Sequence, residues 1–254
     1  MSLNIPRHWL YPKDLDEAAN VQRELAGKVV RADRLPAVHR VGGSDVSNNP
    51  RDPENRIYAA IISLDFPSLK PLENQCAAGV APLPYVPGFL AFREVPALVD
   101  AFQNLSVKPD LLLVDGHGIS HPRGLGIASH LGVILDCPTI GVAKSILVGK
   151  PQGEPGNSPG DFTPLVWKGQ TIGVVLRTRA NVSPVYVSVG HRICLETAVD
   201  WVTRCLTRYR LPEPTRLAHQ AANQCRKTNG ITAGLITANN PTEEFSSLPL
   251  PFRH

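Results

Sequence analysis

Asp110-Leu-Leu-Leu-Val-Asp115 is the stretch on which the reading of this chain turns. Four consecutive apolar residues between two carboxylates describe a strand buried on both faces, the habit of a parallel strand with helices on either side. Its surroundings agree. A helix is expected before it, from Glu94 or Val95 to Leu105, and another after it, from Gly124 to Leu135. Thr139-Ile-Gly-Val142 then reads as a second buried strand. Strand and helix alternate here, and that alternation builds a sheet with helices packed against it.

Upstream, Arg40-Val-Gly-Gly-Ser-Asp-Val-Ser47, Arg56 to Phe66 and Leu72 to Val80 are β-like runs with short gaps, which predicts an antiparallel meander. A helix is expected over Pro12 to Arg34, where apolar residues recur near period 3.6. Downstream, Lys150 to Gly160 reads as a Pro/Gly-rich loop. Thr171 to Arg177 and Val185 to Val189 read as strands, and Arg192 to Tyr209 and Thr215 to Lys227 as helices. The expected fold is therefore α/β: one mixed β-sheet flanked by helices on both faces. It forms one domain over 12–228, followed by a flexible tail over 229–254 rich in Thr, Asn, Ser, Gly and Pro.

Composition excludes several classes. Of 254 residues, 43% are hydrophobic and 19% charged, so wholesale disorder is ruled out. No apolar run approaches the ~18 residues of a membrane span. The start, Met1-Ser-Leu-Asn-Ile-Pro6, lacks the basic segment and apolar run of a secretory signal, so an intracellular protein, cytoplasmic or nuclear, is expected. Five cysteines without a Cys-x-x-Cys pair argue against a disulfide framework or a cysteine-rich zinc site. The net charge of +4 permits a polyanionic partner without specifying one.

Two carboxylates invite a chemical reading. Asp45 interrupts the uncharged run Val41 to Ser47, and Asp115 closes the apolar strand and is followed by Gly116-His117-Gly118. A lone buried carboxylate costs several kcal/mol unless it is paired, hydrogen-bonded or metal-bound. If the two strands are neighbours, the carboxylates converge, and an all-oxygen site favours Mg²⁺ or Mn²⁺ over zinc. The plainer reading, that each Asp caps a turn, stays open. Glu94 alone reads as a helix first-turn carboxylate, and His219 alone as an ordinary helical histidine. Lys144, just after the second buried strand, is either a phosphate ligand or a solvated loop charge. His121 and His130 do not have a zinc spacing. Tyr85, held between Pro84 and Pro87, is an aromatic on a stiff turn, able to stack on bases or to pack on its own domain. No dinucleotide fingerprint or Walker A motif occurs.

Together these segments resemble the endonuclease V family, inosine-directed nucleases of ribonuclease H-like fold. The matching pieces are Gly43-Ser-Asp-Val-Ser47, Pro84-Tyr-Val-Pro-Gly-Phe-Leu-Ala-Phe-Arg-Glu94, Val114-Asp-Gly-His-Gly-Ile119, His121 to His130, Gly141-Val-Ala-Lys144, Ser188-Val-Gly-His-Arg192 and Arg216-Leu-Ala-His219, in family order. The resemblance implies that Asp45, Glu94 and Asp115 bind Mg²⁺, with Mn²⁺ as a substitute. It makes His219 the fourth active-site residue and Lys144 a contact to the phosphate at the cut. Tyr85, flanked by Pro84 and Pro87, matches the wedge that fills the gap left by a rotated base. Gly88, Leu90, Gly116 and Gly126 fall where the family's base pocket lies, with His121 and His130 close by. The implied partners are inosine-containing single-stranded RNA or DNA and duplexes, met by a monomer that uses no membrane. The implied reaction is hydrolysis of the second phosphodiester 3′ to inosine or deoxyinosine, leaving 3′-hydroxyl and 5′-phosphate. A structure-directed nuclease of the same fold and a non-catalytic inosine-RNA binding module are the alternatives.

Overall fold

The structure, a computed structural model, describes residues 4–230. The tail expected over 229–254 therefore lies, from residue 231 onward, outside the described residues. The chain runs through helices α1 (Arg7–Leu10) and α2 (Leu15–Ala26), then strands β1 (Arg40–Asn48), β2 (Arg56–Asp65) and β3 (Pro71–Val80). Helix α3 (Leu90–Asn104), β4 (Leu111–Asp115), α4 (Ile127–Leu135) and β5 (Thr139–Ala143) follow. The last part comprises β6 (Lys150–Pro151), β7 (Phe162–Trp167), β8 (Gln170–Leu176), β9 (Val185–His191), α5 (Leu195–Arg204) and α6 (Glu213–Lys227).

The nine strands form one sheet in the order β3-β2-β1-β4-β5-β9-β8-β7-β6. β4 lies parallel between β1 and β5, and every other neighbouring pair is antiparallel. The expected meander is present, and so is the expected α/β alternation. Period-2 alternation splits the core across the two faces. On β4, Leu111 and Leu113 pack with α5 and α6 residues, while Leu112 and Val114 pack with α3 and α4. Helix α2 lies outside α3 and α4, burying Ala18, Val21 and Leu25 against Phe92 and Leu125. Packing begins before the expected boundary at Pro12, since Ile5, Trp9 and Leu10 rest on the α3–α4 core. Among the described residues, no helix is long and apolar enough to cross a membrane.

Several expectations need correction. The helix expected over Pro12 to Arg34 spans only Leu15–Ala26. Asp14 starts it, accepting from the Glu17 amide at 2.8 Å, and the chain leaves the helix at Gly27. Val29 keeps the apolar phase but packs from a loop. The helix expected from Glu94 begins at Leu90, because Pro96 is carried inside it instead of standing in its first turn. Burial of ten α3 side chains outweighs the hydrogen bond that Pro96 cannot donate. Glu94 consequently sits in the second turn, away from the first-turn amides. The helix expected over Arg192 to Tyr209 shrinks to Leu195–Arg204, with Cys194 as its cap. Strand β7 was not foreseen: it contains Pro164, which reads as a breaker, and it pairs with β8 across the two-residue turn Lys168–Gly169.

One contact fixes how α6 sits on the sheet. A Cβ placed on Gly43 of β1 would lie 1.9 Å from the Pro214 carbonyl oxygen. The first turn of α6 thus touches the β1 backbone, which only glycine permits. Gly43→Ala is expected to push α6 off β1 at a cost of ~1–3 kcal/mol, lowering the thermal midpoint by on the order of 2–10 °C. An unchanged midpoint would show that the helix has room to spare.

Candidate active site

β1 and β4 run parallel, with Ser44 opposite Val114 as their last registered pair. The next residues, Asp45 and Asp115, therefore emerge side by side. Both continue the phase of Val41, Leu111 and Leu113, so their side chains leave the sheet on the α6 face. There Asp45, Asp115 and His219 each offer one ligand atom, and these atoms lie within 4.8 Å of one another. His219 Nδ1 stands 2.6 Å from Asp45 Oδ2.

A chain of hydrogen bonds orients that imidazole. Arg226 Nε donates to Ser47 Oγ at 3.0 Å, and Ser47 Oγ donates to Asn223 Oδ1 at 2.8 Å. Asn223 Nδ2 lies 3.0 Å from His219 Nε2. With the Asn223 oxygen taken, its amide is the donor, so His219 Nε2 accepts and Nδ1 carries the proton towards Asp45. Sequence reasoning missed Asn223, although its place four residues after His219 on a helix was a legible signal.

Electrostatics separate the carboxylates. Asp115 is pushed up to about 7, by burial and then by the charge of Asp45, against the pull of Lys144. Burial also acts to raise Asp45, but the His219 hydrogen bond and the Lys144 charge outweigh it, and its pKa falls below the ordinary value. The Lys144 ammonium sits directly on Asp115 Oδ2, and its own pKa rises because the two aspartates outweigh its desolvation. Glu94 rises to about 8, from burial and then from Asp45 and Asp115. It feels both carboxylates but stands outside the trio of converging ligand atoms. A cation at this site would relieve all three, which is the donor chemistry that Mg²⁺ or Mn²⁺ takes.

A pocket of about 200 Å³ opens beside the carboxylates. Of the residues expected to form a base pocket, it is lined by Tyr85, Gly88, Leu90, Gly116, His121 and Gly126. Gly116 follows Asp115 in the chain and the lining residue Ser145 follows Lys144, so pocket wall and carboxylate site are covalently continuous. Tyr85 is 67% exposed, which removes the reading that it packs back on its own domain. Pro84 and Pro87 flank it at the surface and do not line the pocket. His130 does not line it either. It is fully buried, its Nε2 lies 2.8 Å from the Trp9 carbonyl, and its ring packs edge-on against Phe92. A larger cavity of about 840 Å³, between Arg34, Lys108 and Arg192, lies at the opposite ends of β4 and β5 and holds none of these residues.

Two further residues order this end of the sheet. Ser188 Oγ accepts from the Gly118 amide at 2.9 Å and from Ser120 Oγ at 3.0 Å, pinning the loop after Asp115. A lone serine within the apolar run of β9 was its sequence signal. Arg210 Nη2 donates to the Lys144 and Pro184 carbonyls at 3.1 and 2.9 Å. Nothing in the local sequence marks it.

Known proteins share this sequence pattern and fold over most of the chain. The family model of endonuclease V matches residues 23–220. An endonuclease V of Rhodospirillum centenum is 59% identical over 229 residues, covering 90% of this chain and 95% of the relative. The crystal structure of endonuclease V from Streptomyces avermitilis is similar at a TM-score of 0.81 and 38% identity, covering 91% of this chain and 100% of that one. Ciona intestinalis endonuclease V, in complex with a 24mer DNA containing an inosine followed by a ribo-adenosine, is similar at a TM-score of 0.75 and 29% identity. That match covers 85% of this chain and 98% of that one.

His130 makes one stability prediction. Burial holds its pKa down at about 4, against ~6.5 in an unfolded chain. The unfolded state therefore binds a proton first: the stability His130 contributes is intact above pH ~6.5 and is lost as the pH falls towards 4, on the order of 3 kcal/mol in all. His130→Gln keeps a donor for Trp9 and does not titrate, so its thermal midpoint should fall less than the wild type's between pH 7 and 4.5. Parallel curves would mean that His130 is not held neutral.

Proposed function

This chain belongs to the endonuclease V family, and from that premise we propose that it is a metal-dependent endonuclease acting on inosine or deoxyinosine in RNA or DNA. The bond hydrolysed is the second phosphodiester 3′ to that base, leaving 3′-hydroxyl and 5′-phosphate. The observation that carries this reading is a pocket on the scale of one nucleobase sharing its wall with a pair of crowded carboxylates.

Asp45 and Asp115 would hold Mg²⁺, with Glu94 completing the carboxylate set, His219 beside them and Mn²⁺ as a substitute. When bound, the ion supplies Lewis acidity to the scissile phosphate and to the attacking water. The chain's own residues do the rest. With Asp45 turned towards the cation, the His219 Nδ1–H, still held in place through Asn223, would orient the water. Lys144 exchanges its carboxylate partner for a phosphate oxygen, within the same short reach. Tyr85 stacks in the gap that the extruded base leaves.

Reading the base falls to the start of α3. The Gly116 and Gly126 amides already donate to Val142 and Gly118 carbonyls. Helix α3 opens without a side-chain cap, and first-turn amides have no partner within a helix. Leu90 and Ala91 both line the pocket, and their amides would take O6 of hypoxanthine. Apolar neighbours such as Leu125 and Ile127 offer no acceptor to the exocyclic amine of guanine.

Asp45→Ala and Asp115→Asn are expected to abolish cleavage of labelled inosine strands while sparing binding, because most affinity comes from phosphate contacts. Chelator should do the same to the wild type, and Ca²⁺ should allow binding with little cutting. Wild-type turnover by either variant with Mg²⁺ would sink the assignment, and equal cutting of inosine-free branched strands would favour a structure-directed nuclease.

Tyr85→Ala should weaken binding to inosine duplexes about ten- to hundredfold, the scale of ~1–3 kcal/mol of stacking per base. The loss should shrink on unstructured single strands, where there is less stack to hold open. Equal losses on both would count against the wedge role.

A further inference from the structure

The Gly88 carbonyl receives three side-chain donors. Gln22 Nε2 lies at 2.9 Å, His121 Nε2 at 3.1 Å and Arg123 Nη2 at 2.7 Å. The donors are tied to each other. Arg123 Nε donates to Gln22 Oε1, and the Arg123 amide donates to His121 Nδ1 at 3.2 Å, which leaves the His121 proton on Nε2, facing Gly88. The guanidinium also lies over the Phe89 ring, 4.2 Å from its centroid.

That carbonyl closes the loop carrying Tyr85. Pro87 and Gly88 are the central residues of a turn in which the Phe89 amide returns to the Val86 carbonyl at 3.0 Å. Gly88 has φ +81°, the conformation that the third position of a type II turn demands. On the entry side Arg93 Nη1 donates to the Leu83 carbonyl at 3.1 Å, but on the exit side one backbone hydrogen bond is a weak hold for a loop whose tip must open a base stack against a few kcal/mol. A charge-assisted grip on the turn's exit is much stiffer. Gln22 is fully buried on α2 and cannot reach a substrate.

We propose that Gln22 and Arg123 are positioning residues which, by clamping the Gly88 carbonyl, set the angle at which Tyr85 enters a duplex. This rests on the reading of Tyr85 as the wedge. Single strands, having no stack to open, do not need the clamp.

The test measures kcat/KM on an inosine duplex and on the same inosine strand alone, for wild type, Gln22→Ala, Arg123→Ala, Tyr85→Ala and the double variants with Tyr85→Ala. Hydrogen exchange at the Phe89 amide is followed in parallel. Each clamp variant should lose about five- to tenfold on the duplex, mainly in KM, the scale of one lost hydrogen bond. Each should stay near wild type on the single strand and add little to Tyr85→Ala. Phe89 exchange should rise about tenfold, as local opening becomes easier. If Arg123→Ala does not fold, Arg123→Lys, which keeps one donor but not the fork, should show a smaller form of the same pattern.

A silent Gln22→Ala, with Arg123→Ala losing equally on both substrates and flattening the salt dependence, would make Arg123 a direct phosphate ligand and overturn the clamp. Unchanged Phe89 exchange in both variants would overturn it whatever cleavage does. If Tyr85→Ala itself fails to separate the substrates, the wedge reading falls and takes this proposal with it, whereas no inosine-directed cleavage by the wild type would instead sink the functional reading.

Discussion

Repulsion between Asp45 and Asp115 is the constraint around which this end of the sheet is organised. Parallel pairing of β1 with β4 brings the two carboxylates together, and burial strengthens their mutual repulsion. Each neighbour answers that repulsion in its own way. His219 donates to Asp45, Lys144 sits on Asp115, and both Asp115 and Glu94 hold their protons at unusually high pH. Even with Lys144 in place, Asp115 and Glu94 remain raised, the electrostatics of a site that further positive charge would stabilise.

The same constraint explains why the supporting contacts lie where they do. The histidine reaches Asp45 because α6 touches the β1 backbone at Gly43, and it keeps its tautomer because Asn223 and Ser47 are themselves bonded. Lys144 is held from behind through its carbonyl by Arg210. Because Gly116 and Ser145 directly follow Asp115 and Lys144, any shift of the carboxylate site also moves the pocket wall. The carboxylate site and the pocket are thereby coupled through the covalent chain and need no separate linkage.

Burial decreases outward from this centre. The strands that present the carboxylates are buried on both faces. The pocket is walled by loops pinned through Ser188. The Tyr85 turn is exposed, and it is anchored on its exit side at the Gly88 carbonyl by side chains from α2 and from the loop before α4, and on its entry side at the Leu83 carbonyl by Arg93. Cavity size does not pick out the carboxylate end of the molecule. The larger cavity, near Arg34 and Arg192, has neither the carboxylates nor the exposed aromatic.

Much of this was legible in the amino-acid order. Leu111 to Asp115 announces a doubly covered strand because no polar residue breaks it. The meander, the alternation that follows, and the carboxylates at strand ends are readable because burial dictates which residue types a strand can carry. Local pattern failed where tertiary packing outweighed propensity. Helix α3 runs through Pro96 because its apolar face is buried on two sides, and β7 accepts Pro164 because β8 pairs with the rest of it. The partners of the site were set only in three dimensions. Gln22 and Arg123 are about a hundred residues apart in sequence, as are Arg210 and Asp115. No short window holds such pairs, because their energy exists only once the sheet has brought the segments together.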